Sequence, residues 1–198
     1  MEPIRQHTGR IVPMMNDNID TDQIMPKAFI KRISKFGYED FIFFEQRYLD
    51  KEMTDNPDFI LNQEEYKGAS ILVAGDNFGC GSSREHAVWG LSQYGFKVVI
   101  AGSFSDIFYM NCTKNSLLPV AIEDEAYRQG LADLGSETEI EVDLEAQVIH
   151  SPLGDKHFDI DDQIKNKFLQ GLDDITETLK HEDAIAAYEA ANDHKYDA

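Results

Sequence analysis

The sequence contains few cysteines, few basic residues and no long apolar run. Its 198 residues include two cysteines, Cys80 and Cys112, whereas an iron–sulfur cluster usually takes about three or four thiolates. No stretch approaches the roughly 20 apolar residues that cross a membrane, and residues 1–7 lack the apolar core of a signal peptide. We therefore expect a protein of the reducing cytoplasm that contacts no membrane and binds no metal by itself.

Positive charge is also scarce, since 18 lysines and arginines face 37 aspartates and glutamates and the net charge is −19. Nucleic-acid phosphates select basic surfaces, so this composition argues against a nucleic-acid partner. It does not exclude an anionic substrate, because a local basic pocket can bind an anion inside an acidic protein.

The pattern of apolar residues predicts an α/β fold with a mixed, barrel-like sheet. Short continuous apolar runs, which are typical of buried parallel strands, alternate with helical patterns from residue 70 onward. Later segments alternate polar and apolar residues, as half-exposed strands do. The predicted strands are 9–15, 71–74, 98–101, 117–122, 138–144, 148–150 and 157–160. The predicted helices are 26–35, 83–94, 104–115, 123–134, 161–169 and one or two within 173–191.

The glycine-rich segment, residues 75–86 (GDNFGCGSSREH), carries the strongest chemical signal. It follows the predicted strand 71–74, and its three glycines allow the backbone to take positive φ angles close to a ligand. The helix that follows presents unpaired N–H groups, which favour a carboxylate or phosphate. Ser82 and Ser83 add hydroxyl groups, and Arg84 adds a planar guanidinium suited to a carboxylate. The sequence therefore predicts a small-anion site.

Familiar glycine-loop motifs do not match this segment. The third glycine of a dinucleotide fingerprint is replaced by Arg84, and the Gly-Lys-Ser/Thr of a P-loop and the Gly-x-Ser-x-Gly of a nucleophile elbow are absent. An alternative explanation for either serine, Ser82 or Ser83, is a helix N-cap, with Glu85 or His86 in the first turn.

Four segments resemble the swivelling domain of the aconitase superfamily. Residues 79–87 resemble its Gly-Ser-Ser-Arg-Glu-His signature, residues 18–26 its Asp-Thr-Asp-x-Ile-x-Pro loop, and residues 103–120 its next strand–helix–strand unit. Residues 171–185 are similar to the tail of one branch, the small subunits of 3-isopropylmalate dehydratase in their longer bacterial form. The resemblance covers most of the chain.

This resemblance implies a fold and an activity. The fold would be a swivelling β/β/α domain with a mixed, barrel-like sheet flanked by helices, spanning residues 1–192, with a frayed tail at 193–198. The activity would be that of a hydro-lyase of leucine biosynthesis, which interconverts 2-isopropylmalate and 3-isopropylmalate by dehydration and rehydration. A separate large subunit would carry a [4Fe–4S] cluster on three cysteines, and this chain would bind no cofactor.

The resemblance also implies roles for three residues. Ser82 would be the base that removes the carbon-bound proton next to a carboxylate, and Ser83 and Arg84 would hold a carboxylate of the small hydroxy-acid substrate. Positive surroundings are needed for such a base, because an unassisted serine is very weakly acidic at neutral pH.

Two other functions stay open at this point. One is a related hydro-lyase acting on homoaconitate, citraconate or a methylated malate; the other is a non-catalytic organic-acid-binding module. The aromatic stretch 29–48 is our candidate for the pocket that would separate the substrates. We expect structural roles for Cys80 and Arg47, with binding of a second carboxylate as the alternative for Arg47, and a structural hydrogen bond for His86. The turn residues 20–22 either help to order the site or form a turn only.

Overall fold

The computed structural model describes residues 2–32 and 34–192. Within these residues a sheet of seven strands has the order β4-β3-β2-β1-β5-β6-β7. The strands are β1 (Gln6–Met14), β2 (Ile71–Ala74), β3 (Val98–Ala101), β4 (Leu118–Ala121), β5 (Glu139–Asp143), β6 (Val148–His150) and β7 (Lys156–His157).

Strand β1 joins two halves of different direction. On one side it pairs in parallel with β2, and β2, β3 and β4 continue the parallel half. On the other side it pairs antiparallel with β5, which continues into the β6 and β7 hairpins. The sheet curls into a half-barrel flanked by helices, which confirms the predicted fold class.

The described residues form eight helices. They are α1 (Thr21–Ile24), α2 (Phe44–Arg47), α3 (Glu85–Tyr94), α4 (Asp106–Lys114), α5 (Glu125–Ala132), α6 (Asp162–Gln170), α7 (Asp174–Leu179) and α8 (Glu182–Asn192). Short 3-10 turns lie at Glu39–Phe41, Ile60–Asn62 and Glu64–Tyr66. No described helix is long and apolar enough to span a membrane.

Two hydrophobic cores lie on opposite faces of the sheet, because successive strand side chains point in opposite directions. Val12 and Leu72 face the core that contains the buried residues of α3 and α4. Ile11 and Val73 face the other core, which contains Leu131 of α5 and residues of β5, β6 and α6. The parallel strands are thus covered on both faces, which explains their uninterrupted apolar sequences.

The predicted helices differ from the structure most clearly at 26–35. The helix predicted at 26–35 is wrong: the short helix α1 ends at Ile24, and residues 27–31 form turns. A residue before proline avoids the helical region, and Met25, before Pro26, is extended with φ −140° and ψ 97°. Helix α3 begins at Glu85 instead of residue 83. The tail predicted to fray, 193–198, lies outside the described residues.

Helix α3 approaches its neighbours closely at Gly90. A Cβ atom added there would lie 2.5 Å from Ile42 Cγ2 and 2.7 Å from Met25 Cε, and both side chains are fully buried. We expect Gly90→Ala to lower the free energy of unfolding by about 1–3 kcal/mol through overpacking, despite the better helix propensity of alanine.

Gly130→Ala in α5 is the matched control. Its added Cβ would meet Leu153 Cδ1 at 2.8 Å, but that side chain is 47% exposed and has room to move. This variant should be neutral or up to about 1 kcal/mol more stable. Equal effects of the two substitutions in urea-unfolding measurements would contradict the close packing of α3.

Candidate active site

Three loops meet at one edge of the sheet. They are the β1–α1 loop (residues 15–20), the glycine-rich segment that follows β2, and the β3–α4 loop (residues 102–105). Because β1, β2 and β3 are parallel neighbours, their carboxyl ends lie side by side. This edge is where open α/β sheets usually bind ligands.

The β1–α1 loop and the start of α1 hold the glycine-rich segment on one side. Gly79 N donates to Ile19 O at 2.7 Å, and Thr21 N donates to Cys80 O at 2.9 Å. The buried Thr21 hydroxyl also donates to Ser82 O at 2.6 Å. These bonds fix the backbone on both sides of Gly81 and up to Ser82.

The β3–α4 loop holds the segment on the other side. Phe78 N donates to Ser103 O at 2.9 Å, and Ser105 N donates to Phe78 O at 3.1 Å. The Ser105 hydroxyl donates to Gly79 O at 2.6 Å, and Asn77 N donates to Ser103 Oγ at 2.8 Å. Gly79 and Gly81 have the expected positive φ angles, 73° and 88°. The segment is therefore an ordered backbone clamped between two loops.

The two serines are exposed, and neither hydroxyl has a hydrogen-bond partner among residues 2–32 and 34–192. The N-cap of α3 is Arg84, and no side chain caps this helix. The alternative in which Ser82 or Ser83 caps the helix is therefore wrong. Both hydroxyls are available to a ligand beside the positive end of the α3 dipole.

Arg84 is nearly buried, at 9% exposure, and already has partners. Its Nη1 pairs with the Asp22 carboxylate of α1 and donates to Met25 O at 3.2 Å. Nε and Nη2 have no partner in the described part of the chain. The guanidinium thus links α1 to the start of α3 while two of its nitrogens stay available to a carboxylate.

Other residues singled out in the sequence have structural contacts. Arg47 Nη1 donates to Glu39 O at 2.8 Å, and its guanidinium lies 4.9 Å from the centre of the Tyr94 ring. Asp20 caps α1 by accepting from Gln23 N at 2.7 Å. Neither interaction involves the glycine-rich segment.

The aromatic stretch 29–48 forms a packed layer of rings. Phe29 stacks on Phe41 at 4.3 Å between ring centres and contacts Phe44 at 4.7 Å. The His86 ring packs 5.3 Å from Tyr38 and 4.7 Å from Trp89, centre to centre. The hydrogen bond expected for His86 is not found within the described residues, and ring packing holds the side chain instead.

Sequence reasoning missed the contact that Arg128 makes with the site. Arg128 of α5 is 2% exposed, and its Nη2 donates to Asp76 Oδ1 at 2.7 Å, in the glycine-rich segment. The one available signal was its position three residues before Leu131, on the buried face of α5.

Comparisons with known proteins identify the family to which this chain belongs. Residues 1–125 match the family model of the aconitase C-terminal domain. This match spans more than half of the chain, so the chain belongs to the aconitase superfamily, as the motifs indicated.

Two curated relatives narrow the assignment. The 3-isopropylmalate dehydratase small subunits of Staphylococcus aureus strains MRSA252 and Newman are each 58% identical to this chain over 189 residues, which is 96% of this chain and 97% of theirs. The crystal structure of 3-isopropylmalate dehydratase from Methanocaldococcus jannaschii, 26% identical, matches 93% of this chain and 99% of its own with a TM-score of 0.64. The chain is a member of the 3-isopropylmalate dehydratase small-subunit family.

The environment of His86 predicts a measurable titration. Burial lowers the pKa of His86 below its ordinary value of 6.5; Glu85 raises it in part and Arg84 lowers it again. The neutral ring is favoured in the folded state, so its contribution to stability is present above about pH 6.5 and is lost as the pH falls through the folded pKa. NMR titration of the ring should show a midpoint below 6.5.

His150 is the internal control for this titration. Its Nδ1 lies 2.7 Å from Asp155 Oδ1, and this hydrogen bond raises the pKa of His150. The two midpoints should therefore fall on opposite sides of 6.5; a His86 midpoint at or above that of His150 would contradict the described packing.

Proposed function

We propose that this chain supplies half of the active site of a two-subunit hydro-lyase that interconverts 2-isopropylmalate and 3-isopropylmalate. The carrying observation is the pair of unpartnered, exposed hydroxyls of Ser82 and Ser83, held beside Arg84 on a clamped backbone. A site that faces solvent in this way is incomplete without a second surface. The 58% identity to small subunits over nearly the whole chain supports the same division of labour.

We propose that the second surface is a large subunit that carries a [4Fe–4S] cluster. Cys80 is partly exposed and Cys112 is buried, and burial raises the pKa of the Cys112 thiol well above its ordinary value. Two separated thiols of this kind do not fit a cluster, which needs about three or four thiolates. The chemistry of the cluster therefore belongs to the partner, and this chain contributes binding and proton transfer.

Ser82 is our candidate for the base. Its Oγ would take the proton from the carbon next to a substrate carboxylate and return it in the rehydration step. The Ser82 carbonyl is held by Thr21, so the side chain stands on a fixed backbone. The nearby Arg84 charge and the N-terminus of α3 both favour an alkoxide over a neutral hydroxyl.

Ser83 and Arg84 are our candidates for carboxylate binding. The Ser83 hydroxyl is exposed. Arg84 Nη1 is already bound to Asp22 and Met25 O, so Nε and Nη2 are the donors of Arg84 that remain for a substrate. The pairing with Asp22 fixes the plane of the guanidinium before the substrate arrives, which lowers the entropy cost of binding.

We also propose that the chain forms a single domain and works in the cytoplasm. Both cores share one sheet, which supports a single domain over residues 1–192. Free thiols at both cysteines suit a reducing cytoplasm.

The proposal is tested by mixing this chain with its large subunit and measuring hydration of isopropylmaleate, homoaconitate and citraconate. We expect activity only in the mixture, with isopropylmaleate as the preferred substrate. Preference for another substrate would assign the chain to a related hydro-lyase. Binding of the acids without turnover in the mixture would assign it to a non-catalytic module.

Ser82→Ala should lower kcat by about 10²- to 10⁴-fold with a small change in KM, because removal of a general base acts mainly on the chemical step. Ser83→Ala should act mainly on KM. Ser136→Ala, in the turn between α5 and β5, is the control and should leave both constants unchanged. Near-normal turnover of Ser82→Ala in an intact complex would exclude Ser82 as the base.

A further inference from the structure

The buried Arg128 has no role in the binding and proton transfer proposed above, yet it contacts the glycine-rich segment from another layer of the protein. We propose that Arg128 is a positioning residue, which acts through Asp76 to hold Ser82 in its reactive place. This inference rests on the proposed function, because it takes Ser82 to be the base. The contacts that support it lie within this chain alone.

The Arg128 guanidinium is sealed in the protein. Its side chain is 3% exposed; Nη2 donates to Asp76 Oδ1 at 2.7 Å, and Nη1 donates to Ile122 O. Nε is buried without a hydrogen-bond partner in the described residues. A buried cation needs a compensating charge, and Asp76 is the one carboxylate paired with Arg128 in that part of the chain. The Asp76 side chain is itself 61% exposed, so this contact, and not burial, sets where Asp76 Oδ1 lies.

Asp76 also takes part in joining two of the three loops. Its N–H donates to Asp17 Oδ1 at 2.7 Å, and its carbonyl accepts from Asn18 N at 2.8 Å. By fixing Asp76, Arg128 fixes the β1–α1 loop together with the start of the glycine-rich segment.

Two routes lead from Asp76 to Ser82. One runs along the glycine-rich segment itself, whose backbone is held at Phe78 and Gly79 by the β3–α4 loop. The other runs from Asn18 to Thr21, whose hydroxyl binds Ser82 O. A shift of Asp76 would therefore move the backbone of Ser82 from both sides.

The third loop leaves space for the pair. An added Cβ at Gly102 would lie 1.7 Å from Asp76 Oδ1 and 2.6 Å from the Arg128 guanidinium, so no side chain fits there. Gly102 N also donates to Gly75 O at 3.1 Å. All three loops thus meet at this ion pair.

Arg128 differs from the other residues that contact the three loops, because it lies on a helix of the opposite face of the sheet. The other loop contacts come from neighbouring strand ends, and α3 and α4 bury their apolar residues in one core. Helix α5 packs in the opposite core through Leu131. Arg128 therefore extends past the edge of the sheet and connects the α5 side of the protein to the loops that hold Ser82.

The test uses the two-subunit complex and two variants. Asp76→Asn should lower kcat about 10- to 100-fold with KM within about twofold, because small misplacements of a reacting group cost this much. The double variant Asp76→Asn/Arg128→Met removes the buried unpaired charge, so it should regain stability while kcat stays low. Lys156→Met, which removes the Lys156–Asp124 ion pair at the start of α5, is the matched control and should leave kcat unchanged.

Amide hydrogen exchange of the isolated chain provides a readout that needs no activity. Peptides covering the glycine-rich segment and the β1–α1 loop should exchange faster in both variants, while β3 and β4 stay protected. Normal kcat in either folded variant, or slow kcat without faster exchange in the two loops, would overturn the proposal. If the wild-type mixture were inactive, the proposed function would fail, and unchanged exchange would overturn the positioning role separately.

Discussion

The parallel pairing of β1 with β2 is the contact on which the site depends. It sets Met14 opposite Ala74, so that two loops from distant parts of the sequence begin side by side. The pairing of β2 with β3 adds the third loop. Their backbone groups then satisfy one another's hydrogen bonds, and an irregular segment rich in glycine becomes ordered without regular structure of its own. The exposed serine hydroxyls stand on this scaffold.

The candidate site contains buried positive charges, although the whole chain is strongly negative. The protein carries a net charge of −19, yet Arg84 and Arg128 are both buried next to the glycine-rich segment, each paired with one carboxylate. Asp22 and Asp76 keep the two guanidinium groups compensated in the absence of a ligand. A carboxylate substrate would meet the two free nitrogens of Arg84 at the N-terminus of α3, where the helix dipole also favours negative charge.

Sequence patterns predicted much of the fold for clear physical reasons. Buried parallel strands such as β2 and β3 give uninterrupted apolar runs, and aspartate caps such as Asp161 mark helix starts. The helix predicted at 26–35 failed because residues 27–31 form turns, and the side chains of Phe29, Phe41 and Phe44 pack against one another.

The motif of the candidate site is visible in the sequence for a related reason, and the roles of its residues stay predictions. Ser82, Ser83 and Arg84 are neighbours in sequence, so their motif is visible in one segment, and it supported the family assignment. Contacts that depend on folding are not visible in this way. The pairing of Arg84 with Asp22 joins two motifs, and the pairing of Arg128 with Asp76 joins two layers; neither leaves a local pattern beyond one arginine on the buried face of α5.

The roles of Ser82 and Arg84 are tested most directly by a crystal structure of this chain with its large subunit and bound 3-isopropylmalate. We expect Ser82 Oγ about 3 Å from the substrate carbon that loses its proton, and a substrate carboxylate on the free nitrogens of Arg84 with the Asp22 pair intact. A substrate that contacts neither residue, or a different side chain at the reacting carbon, would exclude these roles.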